Sequence, residues 1–485
     1  MTTSLAVPPL DTGKAGFFRF RRLGKKVLLT NDVGRFALLT PAGFQKFTQG
    51  KLRPEDALHK ELREKGFIRD FTDFEQMIER WRSSHSFLWQ GPSLHIVVVT
   101  LRCDHKCVYC QTSSVGMDAA GVDMSEATAR SVVDTIFESP SPALTIEFQG
   151  GEPLANWPAV RCIVDYSREQ ARRKGKTLWL NLVTNLSLMD DEKLEFLLSH
   201  DVAICTSVDG PASVHDANRI AVGGGSHAVV VRWWKKIRSL TRGKTFGIDA
   251  LMTTTRKSLS HGKEIVDEYV RLDARGIYLR PLSPYGFVRK TWEAVGYGPD
   301  EFLAFYRDTL DYIFALNRKG KNIFETTFRM LATKALKNED PNFLDLRSPC
   351  GAGIGQIAYN YDGSVFTCDE ARMLSRMKDD AFRLGHVADG YAAIVNHPTV
   401  KALALASCLD NQAECAGCAY LPYCGACPVE NYVKQGDLFA RTPTGDRCRV
   451  YKGIQDYFFE KIGEKGSRKI VDSWTRVPTG QPQRD

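Results

Sequence analysis

The sequence predicts an α/β protein built around a partial (β/α)6 TIM barrel, with an N-terminal winged-helix-like module before it and a loop-rich region after it. Apolar runs alternate with amphipathic stretches between about residues 95 and 320, which is typical of a parallel sheet wrapped by helices. Upstream, three short strand patterns precede three helix patterns. Downstream, the alternation stops and cysteine, glycine and proline become frequent. The 485 residues are enough for two or three domains.

The N-terminal module is predicted over residues 1–90, with a flexible leader at 1–15. Strands are expected at 17–23, 25–31 and 35–40. The first helix is expected after Thr40, a suitable cap that is followed by a proline, and two more are expected to begin near residues 54 and 74. A winged shape of this kind serves peptide recognition, nucleic-acid binding or the bracing of a neighbouring domain.

The barrel is predicted over residues 91–320 as six β/α units. The expected strands are 95–101, 143–149, 178–184, 203–208, 246–252 and 277–282. The expected helices lie near 125–138, 157–173, 190–200, 227–240, 258–273 and 299–317. Six units form a partial barrel, and active sites in such sheets lie at the carboxyl ends of the strands.

The C-terminal region divides into a cysteine-rich domain, residues 321–463, and a tail, residues 464–485. The domain is expected to consist mainly of loops, with one further helix at 323–338. The tail is polar, and we expect it to be extended or mobile.

Composition indicates a soluble, cytoplasmic protein. Apolar residues make up 43% of the chain and charged residues 25%, which is normal for a globular protein with a large core. No apolar run reaches the ~18–20 residues that span a bilayer, and the first residues do not resemble a signal peptide. The formal charge of +8 gives no indication of nucleic-acid binding. We therefore expect neither a membrane nor a nucleic acid as a partner.

The cysteines are concentrated in two groups, which indicates metal ligation. Cys103, Cys107 and Cys110 form a Cys-x3-Cys-x2-Cys loop directly after the first barrel strand. Three thiolates on one loop can ligate three irons of a 4Fe–4S cluster and leave the fourth iron open for a substrate. A zinc site with His105 as the fourth ligand is the alternative.

The second group of cysteines lies between residues 350 and 448 and contains eight of the thirteen. Two Cys-x2-Cys pairs within it are typical of iron–sulfur or zinc sites. The two isolated cysteines, Cys162 and Cys205, lie in apolar patterns, and we expect them to be core residues.

The order of motifs from about 95 to 285 resembles the radical S-adenosylmethionine (radical SAM) superfamily. The resemblance rests on the cysteine triplet, on Gly150-Gly151-Glu152-Pro153 after the second strand, on Thr184-Asn185 after the third, and on Ser207-Val208-Asp209-Gly210-Pro211 after the fourth. It implies one 4Fe–4S cluster and S-adenosylmethionine (SAM) as cofactors. The implied SAM-binding residues are Tyr109, Gly150, Gly151, Glu152, Pro153, Asn185, Ser207, Asp209, Arg219 and Leu282.

Two of these residues have specific implied roles. Tyr109 matches the aromatic residue that lies against the adenine. Arg219 suits a carboxylate and is expected to pair with that of the methionine moiety. As alternatives, Ser207 and Asp209 cap a turn, and Arg219 is a surface charge.

The C-terminal cysteines resemble the SPASM domain of radical enzymes that modify peptides, which implies two auxiliary 4Fe–4S clusters and three clusters in all. The first auxiliary cluster would take Cys350, Cys368 and Cys427. The second would take Cys415, Cys418, Cys424 and Cys448. The family has three residues between the last two cysteines of its quartet, where this chain has two. This departure bears on the assignment of Cys427. Cys408 is an additional cysteine and a candidate fourth ligand of the first cluster, with a buried thiol as the alternative.

The resemblance implies a peptide maturase, closest to the maturases of His-Xaa-Ser repeat systems. Its substrate would be a ribosomally made precursor peptide, crosslinked through a thioether, C–C, C–O or C–N bond. A small electron-donor protein of the flavodoxin or ferredoxin type would be a second partner. The N-terminal module resembles the small domains that capture a leader peptide as an added strand at a sheet edge.

Asp369 is the candidate catalytic residue. In the sulfatase-maturating relatives, an aspartate directly after the cysteine that corresponds to Cys368 is the general base, whereas the alternative is an ordinary turn residue. A formylglycine-generating sulfatase maturase is therefore a competing function, although it lacks the N-terminal module. The SPASM-type cysteines disfavour an enzyme that modifies nucleic acids. A non-catalytic zinc or iron–sulfur scaffold would not need the segment Gly150–Pro153.

Overall fold

The structure is a computed structural model that describes residues 10–69, 73–244, 246–341 and 343–476. Residues 1–9 of the predicted leader and residues 477–485 of the predicted tail lie outside the described residues. No helix in the described ranges is both long enough and apolar enough to cross a membrane.

The strands and helices follow the predicted order. The strands are β1 (Arg19–Leu23), β2 (Lys26–Thr30), β3 (Phe36–Leu39), β4 (Leu94–Thr100), β5 (His105–Cys107), β6 (Ala143–Gly150), β7 (Thr177–Val183), β8 (Val202–Ser207), β9 (Arg219–Ala221), β10 (Ile248–Thr253), β11 (Gly276–Ile277), β12 (Leu279–Arg280), β13 (Phe324–Glu325), β14 (Gln356–Tyr359), β15 (Ser364–Phe366) and β16 (Arg383–His386). The α-helices are α1 (Pro41–Thr48), α2 (Ala57–Glu64), α3 (Phe74–Ser84), α4 (Glu126–Phe137), α5 (Trp157–Lys174), α6 (Asp191–Ser199), α7 (Ala212–Asn218), α8 (Ser226–Leu240), α9 (Gly262–Arg271), α10 (Val288–Val295), α11 (Pro299–Arg318), α12 (Thr326–Ala332), α13 (Asp369–Ser375), α14 (Tyr391–Val395), α15 (Pro398–Ser407), α16 (Ala413–Ala416), α17 (Pro428–Gln435), α18 (Asp446–Ile462) and α19 (Lys465–Trp474).

The N-terminal module is an antiparallel sheet, in the order β1-β2-β3, followed by three helices. Thr40 caps α1 by accepting a 3.1 Å hydrogen bond from the backbone of Gly43, as its position before a proline indicates. A small apolar core joins the sheet to α1 and α2 through Leu29, Phe47 and Leu62. The module therefore has a core of its own.

The central sheet has the strand order β12-β10-β8-β7-β6-β4-β14-β15-β16. Its first six members are parallel and form the β/α array that the sequence predicts. Alternating apolar strands pack against amphipathic helices, and Val97, Ile146 and Leu180 at the centre have no exposed surface or almost none. The predicted α/β fold class is confirmed, with strand ends within a few residues of the expected ones.

The C-terminal region extends the barrel sheet, which the sequence does not predict. β14 pairs in parallel with β4, and β15 and β16 continue the sheet in antiparallel fashion. His95 on β4 lies 3.2 Å from the hydroxyl of Tyr359 on β14. The edge of the partial barrel beside its first strand is thus covered by a segment from outside the predicted range 91–320.

The expectation of an extended tail is wrong for the segment that forms α19. Trp474 is fully buried against Phe314, with ring centroids 5.2 Å apart, and its indole nitrogen donates to Asn317. The segment contains few apolar residues, among them Ile470, Val471 and Trp474, which lie on one helical face. Because the segment is mostly polar, its sequence did not indicate this short amphipathic helix.

The N-terminal module packs on the segment that carries the C-terminal cysteine quartet. The hydroxyl of Thr30 donates to the carbonyl oxygen of Ala419 at 2.8 Å, and the Tyr423 hydroxyl donates to the carbonyl oxygen of Gly34 at 2.9 Å. Phe36 meets Phe459 edge to face at 5.2 Å. The module therefore braces the cysteine-bearing region.

Candidate active site

The carboxyl ends of the parallel strands open into a cavity of about 1180 Å³. Cysteines from two distant parts of the chain line this one cavity. They are Cys103, Cys107, Cys110, Cys350, Cys368 and Cys427, together with Cys205 on β8. The cavity therefore joins the predicted radical SAM triplet to the three cysteines implied for the first auxiliary cluster.

The triplet loop is held by backbone pairing at several points. β5 and β9 form an antiparallel ribbon in which Cys107 lies opposite Arg219. The backbone nitrogen of Cys103 donates to Val115, and the carbonyl oxygen of Cys110 accepts from Phe287, each at 2.9 Å. These contacts fix the loop independently of any ligand.

The triplet thiols lie in a desolvated environment. Burial raises the pKa of Cys103, and it raises that of Cys107 to about 11. Burial acts in the same direction on Cys110, but hydrogen bonds with Ser114 and Thr112 outweigh it and lower the pKa of that thiol. Buried thiols of this kind give up their protons when a metal binds.

The zinc alternative requires a free nitrogen of His105. Within the described ranges, Cys103, Asp104 and His105 do place ligand atoms within 4.8 Å of one another. However, Nδ1 of His105 lies 2.9 Å from Asp104 Oδ1 and 2.9 Å from Asn185 Nδ2, and Nε2 lies 3.0 Å from Ser226 Oγ. Because protein groups occupy both nitrogens, the donor set fits three thiolate ligands of a 4Fe–4S cluster better than a tetrahedral zinc site.

The glycines after the second barrel strand are required by a close approach to the triplet loop. A Cβ atom on Gly150, whose φ is +150°, would lie 2.2 Å from the carbonyl oxygen of Thr100, and one on Gly151 would lie 2.3 Å from that of Arg102. The space that glycine provides is thus filled by the backbone at the end of β4 and the start of the triplet loop.

Glu152 positions the neighbouring strand ends. Its buried carboxylate accepts from the Thr184 hydroxyl at 2.7 Å, from the backbone of Asn185 at 2.8 Å and from that of Leu154 at 3.0 Å. Burial raises the pKa of Glu152 to about 7 despite these hydrogen bonds. Through these hydrogen bonds Glu152 holds the segment Thr184–Asn185, which follows β7, in place.

Tyr109, Asp209 and Arg219 form one hydrogen-bonded group. The Tyr109 hydroxyl donates to Asp209 Oδ2 at 2.7 Å and accepts from Arg219 Nε at 2.8 Å. Asp209 is fully buried, and its other oxygen accepts from the backbone of Thr253. Arg219 is therefore a cavity residue and not a free surface charge. Its terminal nitrogens make no hydrogen bond to another described residue.

The other implied SAM-binding residues fall into two groups. Those that line the cavity are Tyr109, Gly150, Gly151, Asn185, Ser207 and Arg219. Glu152, Pro153, Asp209 and Leu282 do not line it. Leu282 packs directly against Tyr109 and Val288, so it supports the aromatic ring that faces the cavity.

The C-terminal cysteines separate into two sets. Cys350, Cys368 and Cys427 belong to one apolar cluster. Cys368 occupies the N-cap position of α13, and the sulfur of Cys427 caps α17 by accepting from the backbone of Glu430. In the other set, Cys415, Cys418, Cys424 and Cys448 influence one another electrostatically, and burial raises the pKa of Cys415 to about 12. This is the grouping that the resemblance implies.

Cys408 and the two isolated cysteines, Cys162 and Cys205, belong to neither of these two sets. Cys408 ends α15 and belongs neither to the lining of the cavity nor to the apolar cluster around Cys350. Cys162 is half-buried in a surface groove, whereas Cys205 lines the cavity. Cys205 therefore faces the cavity, whereas the sequence predicts a core position for it.

Asp369 lies on the cavity wall at the start of α13. Its Oδ1 accepts from Nε and Nη2 of Arg372 at 2.9 and 2.7 Å, and Arg372 has no exposed surface. The ion pair fixes the orientation of the carboxylate and leaves Oδ2 without a hydrogen bond to another described residue.

Several charged cavity residues were missed at the sequence level. Glu147 on β6 and Asp249 on β10 face the cavity, as do Arg280 at the end of β12 and Glu370 on α13. Glu147 accepts from Gln149 at 2.7 Å. The available signal was the presence of polar residues within otherwise apolar strands, where a buried charge requires a reason.

Comparison with known proteins identifies the central region. Residues 97–261 match the radical SAM superfamily. The cysteine-type anaerobic sulfatase-maturating enzyme of Clostridium perfringens (strain 13 / Type A) is 23% identical over 388 residues, which cover 76% of this chain and 97% of that protein.

Two solved structures share the fold. Native anSMEcpe with bound AdoMet has a TM-score of 0.63 and 18% identity, with 80% of this chain and 100% of that chain covered. Streptococcus suis SuiB bound to precursor peptide SuiA has a TM-score of 0.51 and 14% identity, with 88% and 98% covered. The superfamily match spans the cysteine triplet, the segment Gly150–Pro153 and Arg219, and superfamily members use a 4Fe–4S cluster and SAM. Residues 97–261 of the chain therefore form a radical SAM domain.

Proposed function

We propose that this enzyme oxidatively modifies a ribosomally made precursor peptide, closing a crosslink within it, and that it is a SPASM-type maturase of the His-Xaa-Ser repeat kind. The observation that carries the proposal is the single cavity lined by both the triplet cysteines and the set Cys350, Cys368 and Cys427. A volume of about 1180 Å³ is larger than a typical small-molecule site and suits a peptide segment.

The residues on the cavity wall that carries Cys103, Cys107 and Cys110 fit the implied cofactors. A 4Fe–4S cluster and SAM bound there would supply a 5′-deoxyadenosyl radical for removal of a hydrogen atom from a substrate carbon. Cys103, Cys107 and Cys110 would ligate three irons. The terminal nitrogens of Arg219 would pair with the methionine carboxylate, while Tyr109 would lie against the adenine.

Asp369 would complete the oxidation as the general base. Closure of a crosslink removes a hydrogen atom, a proton and an electron from the substrate, and an auxiliary cluster would accept the electron. Arg372 engages Oδ1 of Asp369, so Oδ2 is the atom that would accept this proton at the cavity wall. The orientation of this carboxylate is thus set before the substrate enters.

The substrate class is supported by the related structures. SuiB was solved with precursor peptide SuiA, and anSMEcpe with the Kp18Cys peptide. The N-terminal sheet, whose β3 is paired with β2 alone among the described strands, would receive a leader peptide at its edge. A small flavodoxin- or ferredoxin-type protein would supply electrons to the cluster held by Cys103, Cys107 and Cys110.

A formylglycine-generating activity is the second candidate. It is favoured by Asp369 at the cavity wall and by the similarity to the sulfatase-maturating enzyme over 76% of the chain. Under this alternative the substrate is a sulfatase segment, and the product carries an aldehyde instead of a crosslink.

The deciding experiment is anaerobic incubation of the reconstituted enzyme with SAM, a reductant and either a candidate precursor encoded beside it or a sulfatase peptide. The proposal predicts that the precursor loses two hydrogens and does not react with a hydrazide. A sulfatase peptide that becomes hydrazide-reactive, with the precursor unchanged, would establish the alternative and contradict the proposal.

A further inference from the structure

The two-stranded ribbon that carries Cys107 has one face on the cavity and the other in solvent. Cys107 on β5 pairs with Arg219 on β9, and both line the cavity. Lys106 pairs with Ile220, and both are exposed. This agrees with strand geometry, because successive side chains point to opposite faces. The thickness of one ribbon therefore separates the protein surface from the site at Cys107.

The outer face of this ribbon carries adjacent apolar side chains. Ile220 is 52% exposed, and Val222, two residues later, is 82% exposed. The backbone nitrogen of Val222 donates to the carbonyl oxygen of Asp104 at 3.1 Å, so the exposed valine lies beside the residue that follows Cys103. Single exposed apolar side chains are ordinary, whereas neighbouring ones on one surface indicate a contact with another molecule.

Helix α10 lies against the other end of the triplet loop. The hydroxyl of Thr291 donates to the carbonyl oxygen of Val108 at 2.8 Å. The backbone nitrogen of Phe287, directly before α10, donates to the carbonyl oxygen of Cys110 at 2.9 Å. The Phe287 side chain is itself exposed. Exposed apolar side chains thus flank the triplet loop on both sides.

The exposed charges on these elements are mainly positive. Lys106 on the ribbon is exposed, as are Arg289 and Lys290 in the first turn of α10. None of the three forms an ion pair with another described residue. Acids on the same elements are Glu293 on α10 and Asp104 before β5, whose carboxylate already bonds to protein groups. Cations that lack partners attract an acidic molecule and speed its encounter with the surface.

We propose that a small acidic electron-donor protein docks on this surface and reduces the cluster held by the triplet, which rests on the proposed function only in that Cys103, Cys107 and Cys110 hold a 4Fe–4S cluster. The surface, called the donor patch, consists of Lys106, Ile220, Val222, Phe287, Arg289 and Lys290. One electron passes in each encounter, so the reduced donor is oxidised by one electron and the oxidised cluster is reduced by one.

Position and composition favour this partner over a second copy of the chain. Electron transfer slows steeply with distance, and the donor patch is one ribbon thickness from Cys107. Electron-transfer complexes bury less than about 1,200 Å² and form briefly, whereas the interfaces of permanent dimers are larger and more hydrophobic. Three apolar side chains beside three cations match the first kind of interface.

The test compares protein donors with a small reductant on the full reconstituted chain, without peptide. Reduced flavodoxin, reduced ferredoxin and photoreduced 5-deazariboflavin, which carries no net charge, are each mixed with the enzyme. Rapid-freeze EPR follows the triplet cluster, identified as the signal that is absent from Cys107→Ala. Because no peptide is present, failure of the proposed peptide modification leaves this measurement unaffected.

The first variant reverses two charges of the donor patch through Lys106→Glu and Lys290→Glu. Its matched control is Lys60→Glu with Lys465→Glu, which changes the net charge equally at exposed lysines elsewhere. We expect at least one protein donor to reduce the patch variant about tenfold or more slowly than the parent at low salt, within the range of electrostatic steering. In 1 M salt, which screens charges beyond about 3 Å, the difference should largely vanish.

The small reductant should act equally on the parent, the patch variant and the control. Parental rates with both protein donors would overturn the proposal, and so would an equal slowing with 5-deazariboflavin, since that would reflect a damaged cluster site. Light scattering covers the competing occupant. A dimeric parent that becomes monomeric in the patch variant, with reduction unchanged, would overturn the proposal in favour of a second copy.

Val222→Ser covers the case in which charge reversal disturbs the cluster. The side chain projects into solvent, so this change should leave the fold and the iron content intact. It should slow reduction by the protein donor severalfold at both salt concentrations, because apolar contacts are not screened. Leu405→Ser, at an exposed leucine of α15, is its control and should have no effect. A parental rate in Val222→Ser would overturn the proposal.

Discussion

Arg21 on β1 makes a two-pronged ion pair with Asp456 on α18, with Nε–Oδ1 and Nη2–Oδ2 distances of 2.5 and 2.7 Å. The Tyr420 hydroxyl shares the same carboxylate. α18 also carries Cys448 in its first turn, and Tyr420 lies between Cys418 and Cys424. This contact therefore connects the N-terminal sheet to the elements that carry the second auxiliary set.

Arg21→Ala should lower the free energy of unfolding by about 1–3 kcal/mol, because it leaves a half-buried carboxylate without its charged partner. It should also speed the loss of iron from the second auxiliary set. Arg22→Ala is the matched control, since Arg22 is the exposed neighbour on the same strand. Denaturant unfolding and iron release, measured side by side, check the prediction. Equal behaviour of the two variants would contradict it.

Arg219→Ala should weaken SAM binding about 10–100-fold, the effect of losing a charge-assisted hydrogen bond of roughly 1.5–3 kcal/mol. Equilibrium dialysis of SAM against the reconstituted enzyme measures this. Arg289→Ala removes an exposed arginine of α10 and should leave the affinity unchanged. A wild-type affinity in Arg219→Ala would show that this guanidinium does not contact the cofactor.

Asp369→Asn should separate SAM cleavage from product formation. General-base catalysis contributes about 10²–10⁴-fold, so product should fall by that factor while 5′-deoxyadenosine is still formed. Chromatography of both compounds from the same reaction measures the ratio. Asp362→Asn alters an exposed turn aspartate and should leave the ratio of product to 5′-deoxyadenosine unchanged. Loss of 5′-deoxyadenosine in Asp369→Asn would contradict this role, because it would show that the residue is needed for SAM cleavage itself.

Burial lowers the pKa of His95 from the ordinary 6.5 to about 3. The folded chain keeps His95 neutral, whereas the unfolded chain takes up a proton below pH 6.5, so stability is complete above pH 6.5 and falls as the pH decreases toward 3. Between pH 7.5 and 5.5 the parent should lose about 1.4 kcal/mol more than His95→Phe. Anaerobic unfolding at the two pH values tests this. The same pH dependence in both proteins would refute the assignment.

Trp474→Ala should cost about 3–5 kcal/mol of stability, because the indole is fully buried against α11 and α12. Trp89→Ala is the control, since that side chain is 59% exposed and should change stability by less than about 1 kcal/mol. Thermal unfolding distinguishes them. A small effect of Trp474→Ala would contradict this prediction and favour the expectation that the tail is extended or mobile.

Local patterns predicted the barrel well because each β/α unit has its own periodicity. The predicted strand 143–149 corresponds to Ala143–Gly150, and the predicted helix 157–173 corresponds to Trp157–Lys174. The triplet and the segment Gly150–Pro153 were also found, since each lies within a few residues at a strand end.

Long-range relationships could not be obtained in this way. Nothing near Gln356 indicates that β14 pairs with β4, about 260 residues earlier in the chain. Likewise, the short polar segment before Trp474 has too few apolar residues to reveal which surface buries them. The hydrogen-bond partners of Glu152 and Asp209 could not be predicted for the same reason. These partners, Thr184 and Tyr109, lie on other elements of the fold.

The central claim is that the triplet ligates three irons of a cubane and leaves the fourth open to SAM. EPR spectroscopy of the reduced, reconstituted enzyme before and after SAM addition tests it most directly, alongside iron and sulfide analysis. The account predicts about twelve iron and twelve sulfide per chain for three clusters, and a SAM-dependent shift of one EPR signal that disappears in Cys107→Ala. A signal that does not respond to SAM, or a zinc ion held by the three triplet sulfurs, would contradict it.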